Sequence, residues 1–116
     1  MNKRAKGTEM EELAARYLVR EGAELLERQY RSRFGEIDLI LREGEELVFC
    51  EVKYRTSLAY GTPAEAVDTR KRMRLRLTAE AYCQERNISD RPMRFDVVEI
   101  LQMNGRRYIR TIRNAF

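Results

Sequence analysis

Asp38, Glu51 and Lys53 stand among apolar neighbours in "GEIDLILREGEELVFCEVKYR", Gly35 to Arg55. Strands that build a core exclude charge unless it is paired or used. Side chains alternate along a strand. Glu36, Asp38 and Ile40 therefore share one face of the first half of this stretch. Leu47, Phe49, Glu51 and Lys53 share the matching face of the second half. Converging carboxylates repel, and each raises the other's pKa unless a cation neutralises them. One lysine offsets part of that repulsion; a divalent cation held by oxygen ligands offsets the rest. Mg²⁺ takes one or two carboxylates and completes its shell with water and phosphate oxygens. Water on such an ion is a better nucleophile, and the ion draws charge from a phosphoryl group. A lysine beside it orients the water or stabilises the charge that develops at phosphorus. The pattern suggests a divalent-metal site on a buried scaffold. Glu51 and Lys53 taken alone fit equally an ion pair at a strand end; Asp38 in matching register favours a site.

Composition closes the other routes. The 116 residues contain no histidine, which removes Ser-His-Asp catalysis, Cys-His catalysis and histidine-ligated metals. The two cysteines, Cys50 and Cys83, make no disulfide framework and a poor zinc site. Cys50 alternates with Val48 and Val52 and reads as a small core residue. The formal net charge is +4, and its distribution says more than its size. "RKRMRLR", Arg70 to Arg76, holds five basic residues in seven, and "NGRRYIRTIR" adds four. These stretches fit either a polyanion-facing surface or solvated element faces. On the first reading Arg70, Lys71, Arg72, Arg74, Arg106 and Arg107 contact nucleic-acid phosphates, which positions a duplex without reading its sequence. Lys71 approaches the acidic cluster if its helix starts there. Tyr54 and Tyr60 flank the same region and suit either base stacking or ordinary packing.

The elements that must position these residues follow from periodicity. "GTEMEELAARYLVREG" predicts a helix with Thr8 as N-cap and Glu11 closing a capping box. Met10, Leu13, Ala14, Tyr17 and Leu18 form its buried stripe, and Gly22 stops it. "ELLERQYRS", "GEIDLILR" and "ELVFCEVKY" predict three strands. A turn around Glu43 and Gly44 pairs residues whose numbers sum to 87. That register sets Ile37, Leu39 and Leu41 against Val48, Cys50 and Val52, and puts Asp38 diagonal to Glu51. Thr62 to Asn87 predict a long helix capped by Thr62 and Glu65, with Pro63 in its first turn and Val67, Met73, Leu77 and Ala81 facing inward. "MRFDVVEIL" and "RRYIRTI" predict the last two strands, turned at "MNG". The order is α-β-β-β-α-β-β in a single domain, residues 1–116. No apolar run is long enough for a membrane helix. No signal-peptide segment follows the basic N-terminus, so the cytoplasm is the expected location.

Asp38, twelve residues, then Glu51-Val52-Lys53 resembles the PD-(D/E)XK nuclease signature. Glu11 matches the additional helix-borne acid of archaeal Holliday-junction resolvases in that superfamily. "RFGEIDLI", "LVFCEVKYR", "YGTPAEAVDTRKRMRL", "RFDVVEI" and the terminal "NAF" closely resemble the bacterial YraN family of uncharacterised proteins, from Gly7 to Phe116. Two positions depart from the pattern: Ile37 stands where many superfamily nucleases have proline, and Tyr54 where the YraN pattern has threonine. The resemblance implies an α/β restriction-endonuclease-like core, a mixed central sheet flanked by helices. It implies Glu11, Asp38, Glu51 and Lys53 as catalytic positions. Mg²⁺ or Mn²⁺ would be held by Asp38, Glu51 and the Val52 backbone carbonyl. DNA, branched or structured, would be the substrate, and a homodimer follows by analogy with the resolvases. The rival readings are a non-catalytic nucleic-acid-binding protein that keeps the fold and a basic protein-interaction module.

Overall fold

The structure, a computed structural model, describes residues 3–56 and 68–116, with side chains from residue 7 onward. Its elements follow the predicted order: α1 (Lys3–Arg20), β1 (Glu24–Ser32), β2 (Gly35–Glu43), β3 (Glu46–Arg55), α2 (Thr69–Glu85), β4 (Met93–Met103) and β5 (Arg106–Ile112). The five strands form one sheet in the order β1-β2-β3-β4-β5. Among the described strands only β3 and β4 are parallel, so the sheet is mixed. A parallel pair needs a crossover connection, and α2 lies on it.

α1 starts earlier than expected. Lys3, Arg4 and Ala5 are good helix formers and carry the helix through Gly7, so Thr8 lies inside α1 and is not its cap. The capping box with Glu11 is thereby excluded. The helix end agrees with expectation. Gly22, at φ +111, donates its N–H to Val19 O at 3.0 Å, and Ala23 donates to Leu18 O at 3.0 Å. These two bonds make a Schellman motif, for which glycine has no Cβ penalty.

The β2–β3 register differs from the expected one by two residues. Leu39 pairs with Cys50, Ile40 with Phe49 and Leu41 with Val48, and the turn residues are Gly44 and Glu45. A shift of two keeps every side chain on its face, whereas a shift of one would invert the hairpin. Ile37 is the exception: it packs with Ile40 on the α2 side, while Leu39 and Leu41 pack on the α1 side. Gln29, across from Asp38 on β1, has φ +50. Side-chain alternation on β2 breaks between residues 37 and 39, opposite that left-handed residue.

α2 is capped by Asp68, whose Oδ1 accepts the Lys71 N–H at 2.9 Å. Thr62, Pro63, Glu65 and Val67 lie outside the described residues. The buried stripe of α2 is Leu75, Thr78, Ala79 and Tyr82, at the i, i+3, i+4, i+7 spacing. Met73, expected inside, is exposed; Leu77 and Ala81 are half-buried. Thr78 can be buried because its hydroxyl bonds Arg74 O at 2.8 Å and meets Ser32 Oγ at 3.1 Å.

Two apolar layers result. Between the sheet and α2 lie Ile40, Leu47, Phe49, Phe95 and Val97. Between the sheet and α1 lie Met10, Ala14, Leu41, Val48, Cys50 and Ile100. Each fully buried large side chain contributes about 1.5–3 kcal/mol, which fixes β3 and β4 as a rigid platform.

Candidate active site

The β2–β3 ladder stops at Leu39 and Cys50. Beyond it, from Glu51 to Arg55, β3 pairs only with β4. The two central strands therefore splay, and the unpaired edge of β3 needs acceptors. Asp38 supplies one: its Oδ2 accepts the Val52 N–H at 2.8 Å. That bond holds the Asp38 carboxylate in the sheet plane, within reach of both layers. In an extended strand the N–H and C=O of one residue point to the same edge. The Val52 carbonyl therefore opens into the same gap.

Glu51 meets Asp38 there. Glu51 is 5% exposed. Burial, then a hydrogen bond and like charge at Asp38, push its carboxyl up to about 9. Lys71 and Lys53 act in the opposite direction. Lys71 Nζ lies 4.0 Å from Glu51 Oε1. Lys53 is held below its usual range by burial first and by Lys71 second, with Glu51 and Asp38 offsetting part of this. Glu11 approaches from α1: burial and the Asp38 charge raise its pKa, and Gln29 Nε2 donates to its Oε1 at 2.9 Å. The structure thus brings Glu11, Asp38, Glu51 and Lys53 into one electrostatic cluster and adds Lys71. Glu36 stands at its rim, paired with Arg31 at 3.1 Å.

Among the described residues no three carboxylate or thiol side chains stand at the spacing of a closed metal cage. Asp38, Glu51 and the Val52 carbonyl are hard oxygen donors, the class that could hold Mg²⁺ or Mn²⁺ together with waters. The thiols offer nothing. Cys50 is buried, and burial pushes its thiol well above its usual range. Cys83 is half-buried and shifted the same way.

Sheet topology decides what surrounds the cluster. The ends of β1 and β3, the start of β2, the first turn of α2 and the β4–β5 turn all lie at one end of the sheet. Arg33, Arg70, Arg74, Arg106 and Arg107 are exposed there. Arg70, Lys71 and Arg74 line a cleft of about 290 Å³ with Gly35, Glu36, Asp68 and Leu75. Arg72 is not among them; its guanidinium sits over the Phe116 ring at 5.6 Å. Arg76 likewise covers Phe95 at 5.1 Å. Tyr54 packs in the α1-side layer, and Tyr60 lies outside the described residues. At the opposite end, arginines are engaged by acids: Arg94 by Asp96, Glu46 and Glu43, and Arg113 by Glu43. A cleft of about 340 Å³ near Arg94 and Asp96 is therefore lined by charges that already satisfy one another.

Sequence reasoning missed Gln29, since nothing in its type signals a left-handed strand residue. It also missed the buried Glu99, which pairs with Arg110 at 2.8 Å and Arg55 at 3.4 Å. Glu99 is the β4 neighbour of Lys53.

Fold and cluster define a mixed-sheet α/β protein with a carboxylate–lysine cleft where its central strands splay. Residues 10–100 match the model described as "Uncharacterised protein family UPF0102". The chain belongs to that family, the one to which the YraN resemblance pointed. A UPF0102 protein of Rhodococcus opacus (strain B4) is 49% identical over 113 residues, 97% of this chain and 96% of the relative. One from Nocardioides sp. is 52% identical over 100 residues, 86% and 81%. One from Clostridioides difficile (strain 630) is 40% identical over 116 residues, the whole of both chains. Among the described residues no helix is long and apolar enough to cross a membrane.

Proposed function

We propose that this protein is a Mg²⁺- or Mn²⁺-dependent endonuclease that hydrolyses phosphodiester bonds in DNA, with branched or structured DNA as the favoured substrate. One observation carries the reading: Asp38 and Glu51 meet at the point where the β2–β3 ladder opens, with Lys53 on the same strand. Asp38, Glu51 and the Val52 carbonyl would hold the ion, which supplies an activated water and charge stabilisation at phosphorus. Burial of Glu51 beside Asp38 leaves a site short of positive charge, which is the electrostatic demand a divalent ion meets. Lys53 would orient a water or donate to a phosphate oxygen. Glu11, on the other layer, would assist in holding the ion, directly or through water. Arg70 and Arg74 line the cleft, and Arg106 and Arg107 extend the basic end to the sheet edge, where backbone phosphates would bind.

The α/β order and mixed sheet agree with the restriction-endonuclease-like core that the resemblance implies, and the resolvase analogy motivates a homodimer. The test is nicking of supercoiled, linear and four-way-junction DNA with Mn²⁺, Mg²⁺ or EDTA, using wild type and Asp38→Asn. Hydrolysis that requires the metal and disappears in Asp38→Asn, with binding retained, supports the reading. Binding without metal-dependent cleavage by wild type would replace it with the non-catalytic binder, which the basic end of the sheet also supports. A flat response of binding to salt would count against both.

A further inference from the structure

The run Arg70 to Arg76 divides into two functional faces. Arg72 and Arg76 turn to the rings of Phe116 and Phe95. Arg70, Lys71 and Arg74 turn to the cleft beside Gly35 and Glu36. Within that second group Lys71 is singular, because it alone touches the acidic cluster. Its Nζ stands 4.0 Å from Glu51 Oε1, at the outer limit of contact. The Lys71 side chain is 41% exposed and that of Glu51 7%, so one partner is fixed and the other is a flexible arm at the cleft mouth.

Asp68 caps α2 and takes the Lys71 N–H, which leaves the basic side chains of the cleft as the stronger receivers of an anion. Of the two acids that line the cleft, Glu36 is paired with Arg31 and Asp68 is held at the helix start as its cap. Lys53 and Lys71 both approach the Glu51 carboxyl beside Asp38, and two ammonium groups share a site only where an anion offsets their repulsion.

We propose that Lys71 is a second phosphate-contacting lysine of this site, parked on Glu51 in the ligand-free protein. It becomes available to a nonbridging phosphate oxygen of bound nucleic acid once Glu51 is engaged by a divalent cation. This rests on the reading of Asp38 and Glu51 as cation ligands.

The test measures two bindings separately. Mn²⁺ affinity is read by electron paramagnetic resonance without DNA. Affinity for a fluorescent DNA duplex is read by anisotropy, with Ca²⁺ and with EDTA. Wild type, Lys71→Met, Lys71→Arg and Glu51→Gln are compared. Lys71→Met should bind Mn²⁺ as tightly as wild type or more tightly, since a competing charge at Glu51 is gone, and this retained binding also reports an intact fold. In Ca²⁺ it should lose about tenfold in DNA affinity, the scale of one charge-assisted hydrogen bond, and Lys71→Arg should recover most of it. Glu51→Gln should lose Mn²⁺ binding. Loss of Mn²⁺ binding in Lys71→Met comparable to that of Glu51→Gln would make Lys71 a mere prop and overturn the proposal. So would full DNA affinity in Lys71→Met, or a wild-type affinity indifferent to Ca²⁺. If wild type cleaves no DNA but this pattern holds, the hydrolase reading fails and the role of Lys71 stands.

Discussion

Asp38 Oδ2 stands in for a strand carbonyl: it accepts the Val52 N–H at 2.8 Å, in the gap where β2 no longer pairs with β3. A single carboxylate thus closes the backbone account of a splayed sheet and aims at Glu51. The two roles separate by mutation. Asp38→Asn keeps an acceptor oxygen for Val52 and should change stability by less than about 1 kcal/mol. Asp38→Ala strands a part-buried N–H and should cost about 1–3 kcal/mol. Both should lose Mn²⁺ binding and metal-dependent cleavage. Urea unfolding beside Mn²⁺ titration checks this; an Asn variant as unstable as the Ala variant would deny the ladder role.

Glu51 should cost the metal-free protein stability at alkaline pH. The unfolded chain releases this proton near 4.5, whereas the folded one keeps it to about 9. The unfolded state therefore binds fewer protons across that window, and the contribution of Glu51 is full below 4.5 and lost by about 9. Glu51→Gln, which cannot ionise, should be more stable than wild type at pH 8 by about 2 kcal/mol, less than the whole shift converts to because the nearby lysines share the charge. The advantage should vanish near pH 4.5. Thermal melts from pH 4.5 to 9 measure it, and Mn²⁺ should raise the wild-type midpoint but not that of the variant.

Gln29 holds φ +50 within a strand and donates to Glu11 at 2.9 Å. Glycine takes that conformation without strain, so Gln29→Gly should stay within about 1 kcal/mol of wild type. Gln29→Val, β-branched at a left-handed position, should cost about 1–3 kcal/mol. Both lose the bond to Glu11, and cleavage should fall about tenfold, the scale seen when a supporting partner of a site is removed. Unchanged turnover in a well-folded Gln29→Gly would remove Gln29 from the site.

The basic helix should answer mutation unevenly. Arg74→Ala, at the cleft, should reduce the slope of log affinity against log salt by about one phosphate contact. Arg72→Ala should leave that slope alone and lower stability by about 0.5–1 kcal/mol through the lost stacking on Phe116. DNA titrations at several salt concentrations, with melts of each variant, separate them. Equal slopes for both variants would refute the division of the helix.

Much of the fold was legible because alternation and turn chemistry act locally. β1 and β5 have the bounds that their sequences predict, since Gly, Asn and Ser punctuate them clearly. Asn104 and Gly105, both at positive φ, make the β4–β5 turn that "MNG" signals. The inner face of α2 was not legible. Thr78 and Tyr82 are buried because partners elsewhere satisfy or pack against them, and those partners, Ser32 and Phe49, come from other elements.

By itself the sequence determined the residue types, Asp38, Glu51 and Lys53 in a histidine-free hairpin, and the faces of β3, whose period of two survives a register shift of two. Only the tertiary structure decided that the strands part beyond Leu39 and Cys50, that Asp38 turns into the gap, and that Glu11 and Lys71 arrive from opposite layers. It likewise decided that Arg94 is consumed by Asp96, Glu46 and Glu43, while Arg70 and Arg74 remain at the cleft. The reason is range. Periodicity reports what a residue's immediate neighbours impose, whereas charge, burial and ladder ends depend on groups brought together across many residues by the packing of helices on both sides of the sheet.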